Sequence, residues 1–394
     1  MEINYHILWG AFVTAFLVAV VMTPVSIWLA PKIGAMDIPK DDRRVHTRII
    51  PRFGGMAIFL GIMVSTVIFV IPQFVDKQAV TGLVLGALVI FAGGVIDDLK
   101  TLGPKSKLLI QLLSACVVYA FGIRFGFVGF IFSGAAGEIA TFILTVAWIV
   151  GMINAMNLID GLDGLAAGIA AIASLCIAYA AYIHGHYLAA TAMLAIAGGT
   201  LGFLPYNFNP AKCFMGDCGS QFLGFCLAAY ALIQPVKSAT IMAIVLPVFV
   251  MAIPLFDTVF AILRRLVRRQ SIMEGDKEHL HHRIMRAGFG QKRTVMLLYC
   301  ISGIMGVMAV EYSRAQMVEC IGLLAVVIML MYVMLSDTST KNVEIKAVNV
   351  KKAEDKEKAT EVKQKKAEEK HRKAEEKAAA KGAKNTTADK HPED

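Results

Sequence analysis

Long apolar blocks fill most of the first 335 positions of the chain, and short polar clusters sit between them. Eleven blocks, at about 6–30, 53–72, 79–96, 106–123, 138–153, 164–183, 187–204, 219–234, 238–262, 294–311 and 315–335, approach the ~20 residues a spanning helix needs. Some, such as 138–153, are short and must take flanking residues to cross, so ten spans is the alternative count. The pattern predicts an all-α fold, a polytopic membrane bundle of about eleven transmembrane helices.

Composition agrees with that solvent. Hydrophobic residues make up 57% and charged residues only 18% of the chain, and the mean hydropathy is +0.62. Too little charge is present to cover a water-soluble surface of this size. Met1 to Gly10 carries no Lys or Arg, and the first apolar block is long enough to span, so a retained first helix is expected rather than a cleaved signal peptide.

Orientation follows from the basic residues. With the N-terminus outside, the inner loops carry nineteen Lys or Arg and the outer loops only four, Lys77, Arg124, Lys237 and Arg314. An odd number of spans then leaves the C-terminus in the cytoplasm as well. Two regions result: a membrane domain over 1–335 and an Ala/Lys/Glu-rich tail over 336–394, whose sixteen basic and thirteen acidic residues lack an apolar period and predict a solvated, disordered or partly helical segment. The net charge of +9 suits a cytoplasmic membrane face and does not by itself indicate nucleic acid, which is not an expected partner. The seven cysteines form no Cys-x2-Cys pair, so neither a disulfide nor a zinc site is expected.

Under this topology five polar clusters fall on one face: DDRRVHTRIIPRFGG (Asp41 to Gly55), DDLKTLGPKSK (Asp97 to Lys107), NAMNLIDGLDGL (Asn154 to Leu165), FMGDCGS (Phe214 to Ser220) and HLHHR (His279 to Arg283). Carboxylates, amides, basic groups and glycines gathered at one lipid–water boundary suit a metal-dependent reaction on a phosphorylated lipid. Asp97 and Asp98 close the third block, where charge is costly enough to need a reason. As helical neighbours they point about 100° apart, so one would face the reacting groups while the other holds a lysine or orients backbone. Lys105 and Lys107 follow within reach of a diphosphate.

In the third cluster Asn154, Asn157, Asp160 and Asp163 recur every third residue, and Gly161 and Gly164 allow the chain to turn and bring the later aspartates back. Asp217, read as lying just before the helix that Gly219 and Ser220 open, is expected beside exposed N–H groups that favour a phosphate. Magnesium takes a few carboxylate or amide oxygens together with substrate phosphates and water, and Asp217 with Asn157 supplies such a set. For His281, His282 and Arg283, zinc lacks ligands of the usual spacing, and recognition of a nucleotide-sugar diphosphate is favoured.

In these five clusters, taken in order from about Met22 to Leu335, the sequence resembles the polyprenyl-phosphate N-acetylhexosamine-1-phosphate transferases, which initiate teichoic acid, O-antigen (lipopolysaccharide) and related bacterial surface glycans. The resemblance implies ten or eleven transmembrane helices in the bacterial cytoplasmic membrane, a cytoplasmic active site, and a bent ninth helix, for which Pro247 and Pro254 are suited. It implies magnesium, with manganese as a substitute, on Asp217 and Asn157. Asp97 and Asp98 would lie at the lipid-phosphate end and Lys107 on the diphosphate. Asp160 and Asp163 would lie near the nucleotide, with Asn154 in the same substrate-binding cluster. His281, His282 and Arg283 would lie on the sugar-phosphate side, and His46 and Arg48 would supply the basic group of the first inner loop. Two positions depart from the FMGDTGS-type pattern: Cys218 stands for threonine and Gln221 for an apolar residue.

The implied reaction transfers N-acetylglucosamine 1-phosphate, or a related N-acetylhexosamine 1-phosphate, from a UDP-sugar to undecaprenyl phosphate and releases UMP. Asp97, Asp98 and Asp217 are its expected catalytic residues, with Asp97 or Asp98 a positioner first and a base second. The related phospho-N-acetylmuramoyl-pentapeptide transferase reading is less favoured, because it would show three consecutive histidines where this chain has HLHHR. A secondary transporter would place its aspartates near the bilayer midplane in broken helices, and a scaffold would depend on its tail. A homodimer is compatible with the sequence.

Overall fold

The computed structural model describes residues 5–38, 49–74, 77–126, 134–233, 248–249, 251–252, 255–256, 284–285, 288–314, 319–323, 326 and 329. These belong to one compact unit, Met1–Leu330, which is predominantly helical. Nine helices are described: α1 (Tyr5–Ile33), α2 (Gly55–Ser65), α3 (Lys77–Lys100), α4 (Pro104–Ala120), α5 (Gly134–Ile159), α6 (Leu165–Ile183), α7 (Tyr187–Asn207), α8 (Gly216–Leu232) and α9 (Gln291–Ser313). A π-helical turn (Thr66–Val70) and a 3-10 turn (Ile71–Gln73) extend α2.

Seven of these segments are long and apolar enough to cross a membrane, namely α1, α2 with its extension, α3, α5, α6, α7 and α9. The other two, α4 and α8, have 17 residues each. All nine coincide with sequence-predicted blocks. The short 138–153 block does take residues from both flanks, forming the 26-residue α5. Most of the blocks at 238–262 and 315–335, with Pro247 and Pro254, and the whole 336–394 tail lie outside the described residues.

One element is not helical. Strands β1 (Met36–Asp37) and β2 (Ile50–Pro51) pair antiparallel, Met36 opposite Pro51 and Asp37 opposite Ile50. This small hairpin departs from the purely helical expectation, and it matters because Arg52 follows it directly.

The bundle is built around α8, all 17 residues of which are buried. It packs against α2, α3, α5, α6 and α7, while α1 packs on α2 and α7 and α9 on α6. Small side chains permit this crowding. A Cβ at Gly94 of α3 would lie 2.4 Å from the Cys218 Cα of α8, so the two backbones touch, as small residues allow between membrane helices. Outward positions carry the opposite character: Trp9, Leu17, Val21, Leu109 and Leu113 are each more than half exposed. Rows of bare apolar side chains on several helices are costly in water and ordinary in lipid.

Chain direction alternates so that α1, α3, α5 and α7 end where α2, α4, α6, α8 and α9 begin, and contacts at that one end tie them together. Gly55 N–H donates to Met215 O, Lys107 reaches Asp217, Gly164 N–H donates to Asn207 Oδ1, and Asn209 donates to Gln291. Four of the five polar clusters have described residues, and all four meet at this end of the bundle.

Candidate active site

The sharp entry into α8 sets the position of Asp217. Gly216 has φ +75°, a left-handed conformation that L side chains avoid, and a Cβ there would come within 2.6 Å of Asp98 Oδ2. Glycine is therefore required on two counts. Upstream, Phe214 N–H donates to Pro51 O (2.8 Å), and Gly54 N–H donates back to Phe214 O (2.9 Å), so the segment entering α8 pairs with the segment entering α2.

Asp98 occupies the new helix end. Its Oδ1 accepts the Asp217 N–H at 2.8 Å and its Oδ2 the Cys218 N–H at 3.0 Å. Here the structure corrects the sequence reading. Asp217 lies inside the first turn of α8, not before it, and the N–H groups expected to await a phosphate are already satisfied by a carboxylate. An anion at a helix N-terminus is favourable whatever its source, and Asp98 is that anion.

The side chain of Asp217 collects partners from three other segments. Oδ1 accepts the Asn157 amide at 2.6 Å, and the same Nδ2 lies 2.9 Å from Ser220 Oγ. Oδ2 receives Lys107 Nζ and Arg52 Nη2, each at 2.9 Å. Arg52 Nε also pairs with Asp98 Oδ1 at 3.2 Å. Lys107 contacts Asp97 Oδ2 at 2.5 Å; that oxygen is buried without a partner in hydrogen-bonding geometry, so the contact is an ion pair and not an aligned hydrogen bond. The other oxygen, Asp97 Oδ1, accepts the Leu102 N–H at 2.7 Å and closes the turn into α4. Both acidic neighbours therefore hold a basic group and orient backbone, jobs the sequence reading had given to one of them.

Asp160 follows the last residue of α5 and lies among these charges. Burial pushes its carboxyl well above the usual carboxylate range; Arg52 opposes the rise, and Asp217, Asp98 and Asp163 reinforce it. For Arg52 itself, burial works against the charged form, but Asp217, Asp98, Asp160 and Asp97 outweigh it and hold the guanidinium above its ordinary value.

Two further residues expected at the substrate have partners within the protein. Asp163 Oδ2 accepts Asn209 Nδ2 at 2.9 Å and the Ala211 N–H at 3.1 Å, bracing the loop between α7 and α8. Asn154 lies one turn deeper than Asn157, its Nδ2 donating to Gln111 Oε1 and to Val150 O, both at 2.8 Å. Gln111 also reaches Gln221 Oε1 at 3.3 Å. Gln221, the departure from the family pattern, thus belongs to a buried amide network joining α4, α5 and α8.

His46, Arg48, His281, His282 and Arg283 lie outside the described residues. Arg52 and Ser220 were not among the expected site residues. The signal for Arg52 was its place two residues before Gly54 in a polar cluster, and nothing in the sequence ranked it above Arg48.

The donor set fits a hard dication. A carboxylate, an amide and a hydroxyl converge at Asp217, Asn157 and Ser220, all able to offer oxygen. Among the described residues no three His, Cys, Asp or Glu form a ready cage; a hard dication such as magnesium takes oxygen ligands, with water and phosphate supplying those the protein does not.

Comparison with known proteins gives one consistent answer. The family described as Glycosyl transferase family 4 matches residues 80–234. A Bacillus subtilis protein named probable undecaprenyl-phosphate N-acetylglucosaminyl 1-phosphate transferase is 38% identical over 338 residues, 85% of this chain and 93% of its own. The Mycobacterium tuberculosis decaprenyl-phosphate N-acetylglucosaminephosphotransferase is 34% identical over 307 residues, covering 70% of this chain and 75% of its own. The Escherichia coli undecaprenyl-phosphate alpha-N-acetylglucosaminyl 1-phosphate transferase is 29% identical over 297 residues, 73% and 79% of the two chains. With identity of this level over nearly the whole of a relative, the chain belongs to glycosyl transferase family 4, the polyprenyl-phosphate N-acetylhexosamine-1-phosphate transferases that its motifs resemble.

Proposed function

We propose that the protein transfers N-acetylglucosamine 1-phosphate from UDP-N-acetylglucosamine to undecaprenyl phosphate, giving undecaprenyl-diphosphate-N-acetylglucosamine and UMP and so initiating a cell-surface glycan such as teichoic acid or O-antigen. The names of the relatives support the reaction and the lipid acceptor. The observation that carries it is the contact of Asn157 with Asp217, 2.6 Å apart and flanked by Lys107 and Arg52, at the end of a membrane-helix bundle.

In the reaction an oxygen of the acceptor phosphate attacks the β-phosphorus of the donor, the bond from that phosphorus to the bridging oxygen breaks, and UMP leaves with the electron pair. Such chemistry is mostly positioning and charge stabilisation. Magnesium, or manganese in its place, would be held by Asp217 and by Asn157 with its amide turned to present oxygen, and would supply charge neutralisation on the diphosphate. Lys107, anchored on Asp97, carries a positive charge to the same place. Asp98 fixes the start of α8 and therefore the position of Asp217. An acceptor phosphomonoester with a second pKa near 6 is already largely dianionic at neutral pH, so no general base is required of Asp97 or Asp98. Asp160, which hydrogen-bonds to no described residue, remains available to the nucleotide end.

The same proposal includes eleven spans with the N-terminus outside, a bent helix over 238–262, a site facing the cytoplasm of a bacterium, and a solvated 336–394 tail. His281, His282 and Arg283 would lie on the sugar-phosphate side, His46 and Arg48 would supply the basic group of the first inner loop, and a homodimer is compatible with the exposed apolar faces. The position of the carboxylates at helix ends, away from mid-helix, disfavours a transporter. The deciding experiment incubates purified protein with polyprenyl phosphate, magnesium and a panel of UDP-sugars and follows UMP. Release only with acceptor and UDP-N-acetylglucosamine supports the proposal; ion-coupled uptake into vesicles without sugar transfer rejects it.

A further inference from the structure

Asp217 Oδ2 is contacted by two cations at once, Lys107 Nζ and Arg52 Nη2, each at 2.9 Å. If that carboxylate is to face a dication, two cations on one oxygen are too many, because like charges a few ångströms apart repel strongly in a partly dry site. Lys107 has a second anchor on Asp97. Arg52 has one on Asp98, made through a different nitrogen, Nε, at 3.2 Å.

That division of labour leaves Arg52 able to move without being lost. Its backbone is fixed, since Arg52 N–H donates to Ala35 O at 2.9 Å and the preceding Pro51 O accepts Phe214 N–H at 2.8 Å. The side chain is 31% exposed. Of the five N–H donors of a guanidinium, only those on Nε and Nη2 have partners among the described residues. A turn of the terminal group releases Asp217, keeps Asp98, and directs a planar fork into the site.

We propose that Arg52 binds a substrate phosphate: its Nη2 gives up Asp217 for a phosphate oxygen when a divalent cation is held by that carboxylate, Nε remaining on Asp98. This role presupposes the transferase chemistry proposed above. The ligand is a charged phosphate oxygen, from either the terminal phosphate of the lipid acceptor or the diphosphate of the donor.

Full-length wild-type, Arg52→Lys and Arg52→Gln proteins in lipid nanodiscs test the exchange by two readouts. The first is Mn2+ binding without substrate, followed by electron paramagnetic resonance. Arg52→Gln removes the competing cation and is expected to tighten binding about threefold or more, with Arg52→Lys close to wild type because the charge stays. The second is KM for each substrate at saturation of the other. Both variants are expected to raise one KM about tenfold or more, since lysine cannot reproduce a two-pronged contact; a rise for the lipid assigns the acceptor phosphate, and a rise for the nucleotide sugar assigns the diphosphate.

Mn2+ binding no tighter in Arg52→Gln than in wild type overturns the exchange, and so does a fall in kcat with both KM values unchanged. A purely structural role would lower the melting temperature without tightening Mn2+. Should Arg52→Gln fail to fold, the KM values of Arg52→Lys decide. If the wild-type protein releases no UMP, the transferase reading fails, whereas the Mn2+ measurement, made without substrate, still judges the cation exchange by itself.

Discussion

Asn157 and Asp217 are 60 residues apart in sequence and in direct contact in space, amide nitrogen to carboxylate oxygen at 2.6 Å. The contact joins the end of one helix to the start of another at the same end of the bundle, so both groups face one boundary. Had they lain at opposite ends, no single ion could have served both.

Asp217→Asn should abolish detectable transfer, with a loss of about 100-fold or more, the range seen when one preorganised electrostatic group is removed from a reacting centre. Lys107 and Arg52 would then share a neutral amide in place of a carboxylate. UMP release across a magnesium titration checks this: retained activity with an unchanged magnesium dependence would remove Asp217 from the metal site.

Gly216→Ala should destabilise the protein and lower activity together. The left-handed φ of +75° alone costs about 1–2 kcal/mol for a residue with a Cβ, and the 2.6 Å approach to Asp98 Oδ2 also pulls that carboxylate off the helix start. Thermal unfolding in detergent and turnover measured on the same sample should fall in step. A variant that melts as wild type does would show that the loop relaxes at no cost.

Gln221→Leu should cost about 1–3 kcal/mol by stranding a buried amide partner. The remaining side-chain bonds of Gln111 are both with Asn154. The Gln111→Leu, Gln221→Leu double variant should therefore lose less than the sum of the two single changes, as groups in one network do. Simple additivity in thermal or denaturant unfolding would mean the two amides are not coupled.

Asp160 gives a pH dependence of definite sign. Its carboxyl titrates well above the ordinary value of 3.8 because desolvation at its half-buried position penalises the charged form. As pH rises past that ordinary value, the unfolded chain loses this proton first while the folded protein keeps it, so stability falls until the raised folded pKa is passed and then levels off. Asp160→Asn removes the effect. Its melting temperature should exceed that of the wild type by an amount that grows with pH over this window, and a gap independent of pH would contradict the assignment.

Much of this site could be read from the sequence because carboxylates and amides at the edges of apolar blocks have few physical excuses. Asp97, Asp98, Asn157 and Asp217 were singled out in this way and lie together in the structure, and the block boundaries placed nine helices. What could not be read were lateral relations between helices. Arg48 and Arg52 are equivalent in composition and charge, and only the β1–β2 hairpin, with its backbone bonds to Ala35 and Phe214, brings Arg52 beside Asp98 and Asp217. Asp163 looked like Asp160 in spacing, yet the loop that carries Asn209 and Ala211 folds back over it. The hairpin itself is two residues on each strand, too short to leave a periodic trace.

Enclosure of α8 by its neighbours has a mechanical consequence. Helices that touch acyl chains must tilt when the bilayer thins or thickens, whereas α8, surrounded by protein along its length, has no lipid contact through which to be pushed. The carboxylate at its tip is insulated from the membrane that supplies the acceptor. Bilayer composition should thus alter how readily a lipid phosphate arrives, leaving the geometry that awaits it unchanged.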